Sequence, residues 1–482
     1  MAHGHITLQP EKLHIGGVAA KYGVPGLFLG VAALAVALWK GFSSDQMADH
    51  FFYSYLSAYS FYMAITLGAL GFVMIQHLSR AGWSVTVRRI AEGLSLNMFL
   101  MVILALPIFI PYHGMNGVQR MYHWYHPEDV GVDENLTSKQ GYLNPTFFAI
   151  RMGVYFLVWC LLAWYYASKS AEQDKTGDVR NSLQVERTSL PAMFFYGFSL
   201  TAFIIDWVMS LNAHWFSTIF GVYYFAGAIL SALSVIVLVS LLLQKNGLIG
   251  NAVNGEHYHD LGKLMFAFTF FWGYIAFSQY MLIWYANMPE ETQFYSPRQF
   301  EHWTSVSILL LVVHLLIPFP GLLSRHMKRG NKVLAFWAVW SICACAVDQY
   351  WLTVPNEWIS KLPAIAAQMP QPKGDEHMYI PNAMTAFVDP HDVYHLSEEA
   401  VKASAKTSAV KSNGAPILTG NVRNVRDLMN YPLTPFPMAI TILCFIGMGG
   451  LYIFSTMLAL RGKALVPMRD PKLNEALAFE NI

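Results

Sequence analysis

Two segments of similar composition decide the fold: DWVMSLNAHWF at residues 206–216 and DQYWLTVPNEW at residues 348–358. Each begins with an aspartate deep in a long apolar run and continues as an aromatic-rich exit from that run. A carboxylate inside a hydrocarbon layer is costly unless it is paired, protonated or hydrated, and such a residue is a functional candidate by default. Asp206 and Asp348 therefore predict a membrane protein that handles protons or a polar ligand, with a duplicated architecture.

The composition agrees with a membrane protein. Of the 482 residues 55% are hydrophobic, 15% aromatic and 13% charged, whereas an average soluble domain has about 25% charged residues. The formal net charge of +1 argues against nucleic-acid binding, which requires a basic excess. The four cysteines lie in apolar runs without a CxxC pair, so neither a disulfide framework nor a cluster site is predicted.

The apolar runs predict ten membrane-spanning helices, because they are continuous and lack the period-two alternation of barrel strands. A span needs roughly 20 apolar residues. The ten runs lie near 23–40, 51–78, 88–110, 146–168, 190–212, 217–244, 262–287, 302–324, 332–354 and 436–460. The predicted fold class is an all-α integral membrane protein.

The distribution of basic residues predicts the orientation of the spans. Lys and Arg concentrate in the N-terminal tail, in the connections after spans two, four, six and eight, and in the C-terminal tail. Short loops at the opposite side, such as SSDQMADH and MPEETQF, are acidic. The positive-inside rule then places both termini in the cytoplasm. The N-terminus also lacks the basic and apolar regions of a cleaved signal peptide, so the first span is expected to be retained.

These spans divide the chain into four parts. We expect a cytoplasmic N-terminal tail at 1–22, nine transmembrane helices at 23–354, a periplasmic arm at 355–435, and the last span with a cytoplasmic tail at 436–482. The arm is polar and rich in Pro, Ala, Ser and Lys, a composition that does not fold alone. Either it packs on the helices of its own chain or it docks partner subunits.

The predicted topology contains an internal repeat. Spans two to five and spans six to nine enter the membrane in the same sense, and span five and span nine carry the two aspartates near the same end. This arrangement fits a parallel repeat about an axis along the membrane normal. The interpretation gives two four-helix bundles, with spans one and ten peripheral to them.

Asp206 has one candidate partner of opposite charge in the predicted spans. Arg151 in span four lies close in depth to Asp206 in span five. An ion pair would lower the cost of burying both charges, and it would give Asp206 a structural role. Alternatively, the pair is a proton-loading site, in which the carboxylate is protonated when its partner moves.

Asp348, His314 and Glu92 are further candidates for a proton path. His314, in the middle of span eight, either hydrogen-bonds a neighbouring carbonyl or forms a relay with Asp348, because imidazole can give and take a proton near neutral pH. No second mid-membrane histidine is available to ligate a haem. Glu92 in span three is either an inlet carboxylate on the cytoplasmic side or a partner of Arg88 or Arg89.

A metal site is not predicted. The stretch RMYHWYHPED at 120–129 places His123 and His126 before two carboxylates, which is ligand chemistry suited to zinc or copper. Without a supporting helix pattern or further ligands, the sequence favours surface histidines or contacts with a partner.

The chain resembles membrane anchors of the NrfD/polysulfide-reductase type, and among them the integral membrane subunits of the bacterial alternative complex III. The resemblance covers the ten spans, the segment DWVMSLNAHWFSTIFGVYYFAGA (206–228), the exit VDQYWLTVPN (347–356) and the long arm before the last span. It implies two four-helix bundles flanked by spans one and ten, in the bacterial inner membrane.

The resemblance also implies a function. The chain would be a non-catalytic, cofactor-free subunit of a respiratory quinol:cytochrome c or quinol:oxidase oxidoreductase, structural and proton-conducting. Menaquinol or ubiquinol would deliver electrons to iron–sulfur centres and haem c on partner subunits, and a paralogous ten-helix subunit would complete the membrane part. The proton path would use Asp206, Asp348, Arg151 and His314, with Glu92 on the inner side. The alternative is a stand-alone proton-coupled secondary transporter with parallel repeats.

Overall fold

The computed structural model describes residues 13–480 except positions 113, 128–129, 131–132, 300–301 and 360–434. Regular structure in the described residues is helical, which confirms the predicted all-α fold. The predicted arm at 355–435 lies almost entirely outside the described residues, as do the first twelve positions of the predicted N-terminal tail.

In the part of the chain that the structure describes, ten helices are long and apolar enough to cross a membrane, as predicted, and each predicted span overlaps one of them. They are α1 Gly16–Gly41, α2 Asp45–Leu78, α3 Val85–Phe109, α4 Pro145–Thr176, α5 Val179–Asn212, α6 Phe220–Lys245, α7 Gly255–Ala286, α8 His302–Gly321, α9 Asn331–Thr353 and α10 Pro435–Leu460. Short helices outside these ten include Gly117–Met121, Glu134–Lys139, Pro289–Thr292, Arg325–Arg329, Asn356–Ile359 and Leu473–Leu477. We call the end of the helices that holds Asp206 and Asp348 the predicted outer end, and the opposite end the predicted cytoplasmic end.

Local capping fixes where several of the helices begin. The side chain of Ser44 accepts a hydrogen bond from the backbone of Met47 at the start of α2. Asn144 caps α4 in the same way, with a proline at the first helical position. Asn254 and His257 form a capping box at the start of α7. These side chains satisfy backbone N–H groups that have no partner within the helix, so the sequence sets these boundaries locally.

Two of the ten helices are interrupted near their middle. The helix α3 consists of Val85–Ser95 and Met98–Phe109, and α8 contains a π-helical turn at Val312–Leu316 followed by Pro318–Gly321. A π-helical turn inside an α-helix is rare and often marks a functional site. In α8 this turn contains His314.

The helix α2 occupies the centre of the molecule. Its most apolar window is 89% buried, compared with 17% for that of α8. It contacts α3, α5, α6, α9 and α10, while α1 packs mainly on α10 and also touches α2. Two sets of four helices, which we call quartets, have the same pattern of contacts. In the first quartet, α2 contacts α3, α3 contacts α4, α4 contacts α5 and α5 contacts α2; the helices α6 to α9 form the second quartet with the same order of contacts.

Close backbone contact joins the two quartets. A Cβ atom on Gly68 of α2 would overlap the carbonyl oxygen of Ala228 in α6. Only glycine allows two helices to approach so closely, as is common where membrane helices pack. Gly68 thus fixes the spacing between α2 and α6.

Replacing Gly68 by Ala is expected to destabilise the protein by about 1–3 kcal/mol, because the added methyl group forces α2 and α6 apart. The measurement is thermal unfolding of the purified protein in detergent. Gly197→Ala is the matched control, because a Cβ atom there meets nothing within 4 Å, and alanine favours the helix. Equal melting temperatures for the two variants would contradict the close contact.

Candidate functional site

Asp206 is fully buried near the end of α5 and forms a bidentate ion pair. The guanidinium of Arg151 donates from Nε to Oδ2 over 2.9 Å and from Nη2 to Oδ1 over 2.8 Å. The hydroxyl of Tyr155 donates to Oδ2 over 3.0 Å. The structure thus contains the pair of Arg151 and Asp206 on which both sequence-based alternatives for Asp206 depend.

The sequence of α4 places both donors on one side of the helix. Arg151 and Tyr155 are four residues apart, so their side chains lie on the same face. The guanidinium also donates to the carbonyl oxygen of Tyr142 over 2.8 Å and lies against the rings of Tyr142 and Phe147, at 3.8 and 4.4 Å from their centroids. Because Arg151 is held on several sides, the pair has little freedom to separate.

Asp348 is equally buried near the end of α9, but its surroundings differ. The hydroxyl of Tyr223 donates to its Oδ1, and the amide of Gln349 lies 3.5 Å from its Oδ2, which is a weak hydrogen bond at best. In the described part of the chain no Lys, Arg or His forms an ion pair with Asp348. The two aspartates therefore differ in their partners: a guanidinium group lies beside Asp206, and neutral donors lie beside Asp348.

The helix α6 leaves space for Asp348. Tyr223 and Gly227 are one turn apart on α6, and a Cβ atom on Gly227 would lie 4.0 Å from Oδ2 of Asp348 and 3.8 Å from Cδ1 of Trp272. The rings of Tyr223 and Trp272 are 5.5 Å apart between centroids. Tyr223, Gly227 and Trp272 together form the wall opposite the carboxyl group.

His314 lies next to the same tryptophan. Its ring stacks on Trp272 with 3.6 Å between centroids, and its Nε2 lies 3.7 Å from Sγ of Cys345. Cys345 and Asp348 are three residues apart on α9, so they share a helix face. The described contacts of His314 do not include a direct hydrogen bond to Asp348, so a relay between them requires an intermediate donor or acceptor.

Several buried polar atoms of the second quartet have no hydrogen-bond partner within the described residues. They include Thr269 Oγ1, Gln279 Nε2, His314 Nδ1, Ser341 Oγ and Gln349 Oε1. Buried polar groups in proteins bind ordered water when no protein partner is near. These atoms lie on α7, α8 and α9, the helices of the second quartet that also carry His314 and Asp348.

Glu92 is buried in α3 between two arginines. Its Oε2 lies 3.1 Å from Nε of Arg89 and its Oε1 lies 3.6 Å from Nε of Arg88. Arg88 and Arg89 reach further, to Asp470 and Asp174 respectively. Of the two interpretations of Glu92, the structure contains the ion pairs.

Arg88 also connects Glu92 to a cavity at the predicted cytoplasmic end. The cavity has a volume of about 140 Å³, and its lining includes Gln76, His77, Arg88, Glu186, Asp470 and Lys472. Burial lowers the pKa of the nearby Lys463 ammonium group, and the negative charge of Glu92 opposes this shift. Glu92 thus lies within an extended network of charges and not alone in an apolar layer.

Sequence reasoning missed Tyr223, Trp272 and Arg298. Tyr223 falls in the segment that carries the family resemblance, but nothing in it indicates which tyrosine faces α9. The sequence does contain a signal that could have indicated Arg298. It is the only Lys or Arg between the acidic MPEETQF loop and α8, at the end where basic residues are expected to be rare.

Metal ligands do not cluster in the described residues, in which no group of three or more His, Cys, Asp or Glu side chains could hold a metal ion. The carboxylates that follow His123 and His126 in the sequence lie outside these residues. Comparison of the chain with protein-family models and with curated proteins found no match.

Proposed function

We propose that this chain is a proton-conducting membrane subunit of a respiratory quinol:electron-acceptor oxidoreductase, with Asp348 as its protonatable site. The observation that carries the proposal is the contrast between the two matched aspartates. Asp206 is held by Arg151 in a bidentate ion pair, whereas Asp348 is buried with a tyrosine donor and no cation among the described residues. Only the second environment favours reversible protonation.

The proposed architecture is a duplicated scaffold in the bacterial inner membrane. The cyclic contacts of α2 to α5 and of α6 to α9 support two four-helix bundles, one for each aspartate. The helices α1 and α10 flank them, both termini are cytoplasmic, and the segment 355–435 is a periplasmic arm that docks partner subunits.

The five predicted residues have different roles in this proposal. Asp348 takes and releases the proton, and His314 exchanges it through hydrated polar groups along α7, α8 and α9. Arg151 and Asp206 form a fixed pair that stabilises the first bundle. Glu92 belongs to the charge network at the predicted cytoplasmic end, where the cavity beside Arg88 supports access of water.

The electron-transfer chemistry belongs to partner subunits. Haem c and iron–sulfur centres lie on those partners, and a paralogous ten-helix subunit provides the quinol site for menaquinol or ubiquinol. The support for this assignment is the resemblance in segments 206–228 and 347–356, both of which contribute to the surroundings of Asp348.

The alternative of a stand-alone proton-coupled transporter has less support. Transporters built from repeats place broken helices at corresponding positions of both halves. Here the interrupted α3 corresponds to α7, and the interrupted α8 corresponds to α4, yet α4 and α7 are continuous. The interruptions are therefore not matched between the two quartets.

Purification tests the proposal directly. The full chain carrying an affinity tag, extracted from its native membrane in mild detergent, is expected to bring down subunits with the absorption spectrum of haem c and with quinol-dependent cytochrome c reduction. A stable chain that is repeatedly isolated without haem-bearing partners would contradict the respiratory function. Proton-driven solute uptake by that isolated chain would favour the transporter instead.

A further inference from the structure

Arg298 is a fully buried arginine at the predicted outer end of the second quartet. Within the described residues its guanidinium donates only to backbone carbonyl oxygens: Nη1 to Phe294 over 2.5 Å, Nε to Trp351 over 3.0 Å and Nη2 to Leu352 over 2.9 Å. Trp351 and Leu352 belong to the last turn of α9, where the carbonyl groups carry the negative end of the helix dipole. Arg298 therefore ties the connection between α7 and α8 to the end of α9.

Aromatic rings enclose this cation. The guanidinium carbon lies 3.8 Å from the ring centroid of Phe294 and 5.0 Å from that of Trp351. Phe294 in turn stacks on Trp215 at 4.0 Å, and Tyr295 packs against both Phe294 and Trp351. We call Arg298, Trp215, Phe294, Tyr295 and Trp351 the outer plug.

The charge of the plug is not neutralised by an acid. None of the described carboxylates forms an ion pair with Arg298. Burial lowers the pKa of its guanidinium to about 9, so it still carries a full positive charge at neutral pH. A lysine could not donate to three carbonyl groups at once in this geometry, because only the guanidinium has a planar fork of donors.

The plug lies just beyond Asp348. Trp351 follows Asp348 by one turn of α9 in the direction of the predicted outer end, and its indole Nε1 donates to Ser307 at the start of α8. Phe220 links Tyr223, the donor to Asp348, to the plug, because its ring centroid lies 6.1 Å from that of Tyr223 and 6.3 Å from that of Phe294. Along α9, the plug therefore lies between Asp348 and the predicted outer end.

We propose that the outer plug is an electrostatic seal, in which the fixed charge of Arg298 keeps protons at the predicted outer surface from reaching Asp348 outside the working cycle. Membrane channels use a fixed arginine and the positive ends of helices in this way to exclude protons and cations. The inference rests on the proposed function, because a seal matters only if Asp348 carries protons.

The first quartet provides a comparison, because its arginine has a different partner from Arg298. There Arg151 pairs directly with Asp206. In the second quartet the arginine is bound to carbonyl groups, and among the described residues the aspartate has a tyrosine donor but no cation. One arginine thus neutralises its aspartate, while the other screens its aspartate from protons.

The test is passive proton flux through proteoliposomes that contain the purified complex, without electron donor. A pH step across the membrane is followed with an enclosed pH-sensitive dye. The variant Arg298→Gln is expected to raise the flux about tenfold or more, since a barrier lowered by about 1.4 kcal/mol gives a factor of ten. Arg298→Met removes the same charge with an apolar side chain and provides a second variant if Arg298→Gln does not assemble.

Two further variants separate charge from packing. Arg298→Lys keeps the charge and is expected to leak less than Arg298→Gln. Arg120→Gln is the matched control, because Arg120 is also buried at the predicted outer end but pairs with Asp45 and Asp49, and its flux should equal that of the wild type. Size-exclusion behaviour and the haem spectrum show whether each variant is assembled.

The double variant Arg298→Gln/Asp348→Asn distinguishes this inference from the proposed function. If the seal protects Asp348, the second substitution returns the flux close to the wild-type value. The seal is overturned if an assembled Arg298→Gln or Arg298→Met complex shows the passive proton flux of the wild type. It is also overturned if the double variant shows the same raised flux as Arg298→Gln. Failure of the proposed function has a different signature, which is unchanged proton translocation during turnover in Asp348→Asn alone.

Discussion

Replacing Arg151 by Leu is expected to destabilise the protein by about 3–5 kcal/mol, because the substitution leaves the carboxylate of Asp206 buried without its cation. Asp206 is fully buried and would keep Tyr155 as its remaining side-chain donor. The measurement is thermal or denaturant unfolding of the purified protein in detergent, monitored by circular dichroism and by retention on size exclusion.

The matched control is Arg80→Leu. Arg80 pairs with Glu186 over 3.0 Å, but its side chain is 72% exposed, and exposed pairs contribute about 0–1 kcal/mol. The double variant Arg151→Leu/Asp206→Leu should regain most of the lost stability, since removing both charges leaves none unpaired. If Arg151→Leu were as stable as Arg80→Leu, the ion pair would not have the structural role assigned to it.

The ion pair of Arg151 and Asp206 was accessible to sequence reasoning for a simple reason. Charged residues are rare in the ten spans, so two of opposite sign at similar depth in consecutive helices have few other partners. The same argument placed Glu92 beside Arg88 and Arg89, which precede it by one helical turn. The ten helices were equally accessible, because a continuous apolar run of sufficient length indicates a span without knowledge of its neighbours.

The residues around Asp348 could not be predicted from the sequence in the same way. Tyr223 and Tyr224 are adjacent on α6, and only the rotation of that helix against α9 decides that Tyr223 reaches the carboxyl group while Tyr224 donates to Ser60 on α2. The stacking of His314 on Trp272 depends on the π-helical turn in α8. Such a turn shifts the following residues around the helix axis. Pro318 disturbs a regular helix at the carbonyl of residue 314, but a proline alone does not specify a π-helical turn or the direction in which His314 points.

The burial of Arg298 could not be predicted from the sequence either. Its position in the connection between α7 and α8 was visible in the sequence, but a charged loop residue is ordinarily expected to be solvated. Phe294, in the same connection, contributes one carbonyl group and one ring to its burial. The other two carbonyl groups and the second ring come from Trp351 and Leu352 at the end of α9. Long-range contacts of this kind are set by the packing of the whole bundle.

Because the two aspartates have different partners, replacing each of them by asparagine is expected to affect stability differently. Asp206→Asn removes a negative charge that Arg151 needs, so it should mainly lower stability. Asp348→Asn removes a carboxyl group that has no cation among its described contacts, and the amide can still accept the hydrogen bond from Tyr223. We therefore expect Asp348→Asn to fold and assemble normally.

The expected effect of Asp348→Asn is on proton movement. An amide cannot take up and release a proton at neutral pH, so proton transfer through this chain should slow by about 10²-fold or more. The measurement is the number of protons translocated per electron by the complex in proteoliposomes during quinol oxidation. Quinol oxidation itself should keep most of its rate in uncoupled vesicles, because its cofactors lie on partner subunits in the proposed assembly.

The control for this prediction keeps the carboxyl group. Asp348→Glu should retain part of the proton translocation, since Gly227 leaves room on the facing helix, whereas Asp348→Asn should not. Normal coupling in both variants would mean that Asp348 is structural and that protons take another route. Loss of coupling in Asp348→Asn together with unchanged stability would separate its role from that of Asp206, because the burial of the two carboxyl groups is the same and only their partners differ.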